Sequence, residues 1–179
     1  CLNGVISILS VTSQNLNFHS FQGLIIGRNM GGYVDDFRIS DTIRYPTGLM
    51  QYPTHSFYHY SAEITNTQYK FGTSSLYIGV NSMLCYTSTT PPIYSWTLES
   101  WLWTADTNNG RRVLSDRYGQ CVMVTLANTT TRTLGLYLGT TAYLWDIANN
   151  VTSSVSYTAS AWNHIALVFT GTSYILFIN

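Results

Sequence analysis

The side chains able to do chemistry are few. Of eight acidic residues only Glu63 and Glu99 are glutamates, and the 179-residue chain carries four histidines and three cysteines. Retaining glycoside hydrolysis needs two carboxyl groups about 5–5.5 Å apart. No Glu-x-Asp-x-Glu run provides that pair, and Asp35 and Asp36, being adjacent, point to opposite faces of a regular strand. No Gly-x-Ser-x-Gly elbow marks a serine nucleophile. His19, His55, His59 and His164 form no metal pattern; His55 and His59 have the i, i+4 spacing, but no helical stretch supports them. Cys1, Cys85 and Cys121 fit no metal spacing and cannot all pair within the chain. Buried thiols acting as small apolar side chains are the plain reading, and a single disulfide is the alternative. The chain is therefore read as a non-enzyme.

Binding chemistry has more material. Trp145-Asp146 lies beside an Asn- and Thr-rich loop, and Tyr118 follows Asp116-Arg117. A ring can stack on a sugar face while a neighbouring polar group bonds its hydroxyls, so Trp145, Asp146 and Tyr118 are candidate glycan contacts, although most such rings serve packing. Asn128-Thr129-Thr130 and Asn150-Val151-Thr152 are N-glycosylation sequons in Thr- and Ser-rich loops. Nucleic acid is not an expected partner: eight basic residues balance eight acidic ones, and Lys70 is the single lysine. No apolar run approaches the roughly 20 residues that cross a bilayer, so membrane insertion by a helix is not expected.

These side chains must be positioned by strands. Helical periodicity is nearly absent, and hydrophobic residues make up 45% of the chain. Short β-branched and aromatic runs recur between Gly, Asn, Ser and Pro: Val5–Val11, Gly23–Gly27, Tyr33–Ser40, Ser74–Ile78, Trp96–Trp103, Gln120–Ala127, Thr133–Leu138, Tyr143–Ile147, Asn163–Thr170 and Tyr174–Asn179. This spacing predicts an all-β, antiparallel β-sandwich of the jelly-roll kind. Alternation places Glu99, Trp101 and Trp103 on one face of their strand and Leu98, Ser100 and Leu102 on the other. The same rule groups Tyr33, Asp35, Phe37 and Ile39 against Val34, Asp36 and Arg38. Asp35 then shares a face with apolar neighbours and, if buried, must be hydrogen-bonded. Asn3-Gly4 and Asn108-Asn109-Gly110 are turn signals. Thr42–His59, with Pro46, Gly48 and Pro53, reads as a connector.

Gly32–Ile39 (GYVDDFRI) resembles the closing strand of the laminin G-like, concanavalin A-like lectin/glucanase superfamily. Tyr69–Ile78 (YKFGTSSLYI) resembles its opening strand. Trp96–Leu102 (WTLESWL), Trp162–Val168 (WNHIALV) and Leu176–Asn179 (LFIN) resemble strands between them, the last leading into an Asn-Gly hairpin. The resemblance implies a concanavalin A-like sandwich, places Glu99 and His164 at packed structural positions, and implies a Ca²⁺ site at the sandwich rim. Asp106, Asn108 and Asn109, helped by Asp35 or Asp116, are the oxygen donors that would fit it; a solvated turn accounts for the same residues.

The order of these motifs is unusual, because the family's last strand precedes its first, and Leu2-Asn3-Gly4 resembles the turn that Ile178-Asn179 begins. Residues 1–50 are thus expected to be the C-terminal strands of one domain, and residues 51–179 the N-terminal and central strands of the next. One permuted domain, 1–179, is the alternative. The functional expectation is a structural or adhesion repeat of an extracellular, cell-surface or virion-surface assembly, with neighbouring copies as partners. The alternative is a carbohydrate-binding module that uses Ca²⁺, with glycans as ligands.

Overall fold

A computed structural model describes residues 5–9, 24–40, 56–87, 95–105, 110–116, 121–127, 132–139, 141 and 144–179. Its elements are β1 (Val5–Leu9), β2 (Leu24–Ile26), β3 (Gly32–Ser40), β4 (Ser56–Thr65), β5 (Ser75–Thr87), β6 (Trp96–Thr104), β7 (Arg112–Asp116), β8 (Cys121–Ala127), β9 (Arg132–Leu138), β10 (Ala148–Thr152), β11 (Trp162–Phe169) and β12 (Tyr174–Ile178). The protein is all-β, with no helix among the described residues and every strand pairing antiparallel. Hydrogen-bonded neighbours run β1-β12-β11-β6-β3-β5-β2-β7-β8-β9-β10, and β4 adds to β5.

Three strands depart from the expectation. β4 begins inside the expected connector, and a bulge between Tyr60 and Ala62, just beyond it, interrupts the period of two that would have marked the strand. β7 is a short strand that alternation had not marked. Tyr143–Ile147 is not a strand; an isolated bridge joins Thr141 to Leu144, and β10 starts only at Ala148. β10 reads ANNVT, and its two Asn have poor strand propensity, so pairing to β9 rather than local preference holds it extended.

β5 is the longest strand, at 13 residues, and it has two partners on one edge. Leu76–Ile78 pair with β3, and Leu84–Tyr86 pair with β2. The two ends of the strand order share one core. Leu102, Leu167, Leu176 and Ile178 come from β6, β11 and β12; Met123, Leu134, Leu136 and Leu138 come from β8 and β9. All eight are at most 2% exposed.

β3 carries a second departure. Tyr33 and Asp35 face Trp103 and Trp101, but a bulge follows, and it is Arg38 that faces Glu99. Asp36 absorbs the extra residue with a φ of 47°. Strict alternation had put Arg38 opposite Asp35 and Phe37 beside it; the bulge reverses both, so Phe37 packs against the core. Arg38 still bonds Asp36, Nε to Oδ1 at 2.7 Å.

Candidate functional site

The strands β4, β5, β3, β6 and β11 lie side by side, and residues opposite one another in an antiparallel register share a face. One row across these strands is Glu63, Tyr77, Tyr33, Trp103 and Trp162. The Tyr33 ring lies 5.1 Å from Tyr77 and 5.2 Å from Trp103, centroid to centroid. The four rings are half-buried and Glu63 is exposed. Gly32 makes this closeness possible: a Cβ there would lie 2.4 Å from the Trp103 carbonyl oxygen, so any larger residue would push β3 off β6.

The next row on the same face is Asp35, Trp101 and His164. Over it folds the tip of the β4–β5 hairpin. Asp35 fastens that tip: its Oδ2 accepts the backbone N–H of Lys70 at 2.8 Å and of Phe71 at 2.9 Å, while its Oδ1 accepts the N–H of Asp36 at 2.8 Å. Ser75 helps by donating its hydroxyl to the Gln68 carbonyl. Phe71, half exposed, meets Trp101 edge-on at 5.8 Å, and the Lys70 ammonium sits 4.2 Å over the Trp101 ring. Trp101 also touches the His164 ring at 5.3 Å.

Farther along the face the strands are covered. Thr97, Glu99, Ala166 and Val168 are all buried. His164 and Glu99 are buried together, Nε2 to Oε2 at 3.4 Å. The face thus has a closed part around Glu99 and an open part made of rings.

Of the residues singled out from sequence, the structure describes Trp145, Asp146, Asp35 and Asn150. Trp145 is half-buried against Tyr137 at 5.4 Å, and Asp146 beside it is exposed. Asp35 has both carboxylate oxygens engaged by N–H donors. Among the described residues no group of three or more His, Cys, Asp or Glu gathers as a metal site. Asn150 and Thr152 of the second sequon are exposed on β10. Tyr118, Asp106, Asn108, Asn109 and Asn128 lie outside the described residues, as do Cys1, His19 and His55.

The ring cluster went unnoticed in the sequence, although alternation had put Trp101 and Trp103 on one face. What was missing is that β3 and β5 lie beside β6, far apart in the chain though they are. Comparison with protein-family models, with curated proteins and with solved structures finds no match.

Proposed function

We propose that this chain is a non-catalytic, laminin G-like jelly-roll module that serves as a structural or adhesion repeat at a cell or virion surface. The shared core of the two ends of the strand order supports a sheet folded over into a sandwich. The observation that bears on domain organisation is the register of β1 on β12, in the chain where β3 also lies between β5 and β6. Val5 faces Ile178, the next residue Asn179 has a φ of 60°, and the residue before Val5 is Gly4. A two-residue Asn-Gly turn of type I′ has positive φ at both positions and joins strands in this register. The Asn-Gly dipeptide that such a turn uses occurs in the sequence at Asn3-Gly4. The same β12–β1 pairing works within one copy, as a permuted domain, or from one copy to the next in an array.

The spacing of the two glutamates supports the non-catalytic reading. Glu63 and Glu99 stand on β4 and β6, separated by β5 and β3, and three strand spacings amount to roughly 14 Å. That exceeds the separation either glycosidase geometry uses.

The test is a permuted chain in which residues 52–179 are joined directly, Asn179 to Gly4, to residues 4–50. It should melt cooperatively as a monomer in sedimentation experiments. The chain in its given order should form concentration-dependent oligomers by lending β1 to the β12 of another copy. A permuted chain that fails to fold, or two chains with identical monomeric behaviour at all concentrations, would sink the reading.

A further inference from the structure

We propose that Tyr33 and Tyr77 form an oxidative cross-linking site, at which a haem peroxidase and hydrogen peroxide join the two phenols into dityrosine and staple β3 to β5. Tyr33 and Tyr77 stand directly opposite one another in the β3–β5 register. Their ring centroids are 5.1 Å apart, toward the short end of the range for packed aromatic pairs, so the ring edges lie in contact. The ring planes are inclined at 49°. That tilt suits the product, a biphenol joined through the carbons ortho to each oxygen, because its crowded hydroxyls twist the rings out of one plane. Both rings are half-buried, so an oxidant in solution can reach them while the strands still hold them. The other ring contacts of this face, Tyr33–Trp103, Phe71–Trp101 and Trp101–His164, offer no second phenol.

The pair is aligned before oxidation. Gly32 lets β3 lie against β6, and the flanking pairs Gly32–Ile78 and Val34–Leu76 fix Tyr33 on Tyr77. Two residues beyond Tyr33, Asp35 accepts the N–H groups of Lys70 and Phe71, which stops the β4–β5 hairpin from sliding along β3. Phenoxyl radicals held in contact couple far faster than radicals that must meet by diffusion. Each phenol gives up one electron and its hydroxyl proton, and the two radicals form a carbon–carbon bond between their ortho positions. The hydrogens on those carbons then move to the oxygens, restoring both phenols. The two electrons and two protons reduce one hydrogen peroxide to two waters at the haem of the peroxidase. The new bond restricts the unfolded chain as a disulfide does. The site does not depend on the repeat reading, since Tyr33 meets Tyr77 whether β3 belongs to the same copy or to a neighbouring one.

The experiment treats the folded full chain with a haem peroxidase and limiting hydrogen peroxide, then digests it with trypsin. Cleavage after Arg28 and Arg38 leaves Tyr33 as the sole tyrosine of its peptide, and cleavage after Lys70 and Arg111 releases the peptide that holds Tyr77. These two peptides should be found joined, lighter than their sum by two hydrogens and showing the blue fluorescence of dityrosine. Tandem mass spectrometry should place the bond at Tyr77 rather than at Tyr86 or Tyr94. Tyr33→Phe and Tyr77→Phe keep the ring and its packing but remove the phenol. Each should lower dityrosine fluorescence at least about ten-fold, as should unfolding the wild type in urea before oxidation, because the contact that speeds coupling is gone. Tyr137→Phe, at a ring packed on Trp145, should leave it unchanged. The same Tyr33–Tyr77 bond found between chains, as a ladder in denaturing electrophoresis, would also support the site and would place β3 on a neighbouring copy. No joined peptide from the folded wild type, equal fluorescence from folded Phe variants, or oxidation that ends on Trp103 instead would overturn the proposal.

Discussion

Replacing Asp35 with Asn tests how the ring face is held together. The carboxylate accepts three backbone N–H groups at 2.8, 2.9 and 2.8 Å, from Lys70, Phe71 and Asp36. A hydrogen bond to a charged acceptor is worth about 1.5–3 kcal/mol when enclosed. The Lys70 and Phe71 bonds are exposed, so water replaces part of each and the working value is lower. The amide of Asn keeps one acceptor oxygen and turns the other into a donor facing a donor. If the oxygen faces the hairpin, the Asp36 bond is lost; if it faces Asp36, both hairpin bonds go. Either orientation should cost about 2 kcal/mol, which for a chain of this size lowers the melting temperature by about 4–8 °C. Asp35→Ala, which removes all three, should cost somewhat more. Amide hydrogen exchange reads the local effect. The Lys70 and Phe71 amides should exchange at least about ten-fold faster, while amides between β6 and β11 slow or quicken only with global stability. Unchanged protection at Lys70 and Phe71 in Asp35→Asn would refute the reasoning. So would a Ca²⁺-dependent rise in the wild-type melting temperature that the substitution abolishes, because the carboxylate would then be serving a cation.

Gly32→Ala should destabilise by about 2–3 kcal/mol in chemical denaturation, because its Cβ would meet the Trp103 carbonyl oxygen at 2.4 Å in the middle of the sheet. Gly110→Ala meets nothing within 4 Å and should cost only about 1 kcal/mol, through its φ of 76°. Leu102→Ala removes a side chain with no exposure and should cost about 3–5 kcal/mol. Ile64→Ser, at a residue 79% exposed, should change stability by no more than about 0.5 kcal/mol, and a larger loss would mean that Ile64 is covered in solution.

Alternation along single strands was legible in the sequence. Trp101 and Trp103 do share a face of β6, and Leu98 and Leu102 do share the other. These follow from the period of two, which each strand carries in its own residues. β4 and the second half of β3 were not legible in the same way, because a bulge shifts the period by one and no residue type announces it. The candidate site was hidden for a different reason. Tyr33, Tyr77 and Trp103 stand on three strands distant in the chain, and their row exists only because β3 inserts between β5 and β6. Likewise the role of Asp35 depends on a hairpin tip 35 residues further along the chain. What the amino-acid order determines by itself is strand content, the polarity of each strand face and the turn chemistry, all of them local. Which strands become neighbours, and therefore which rings meet, was decided by tertiary structure, since burying the apolar faces of distant strands in one core is a property of the whole chain.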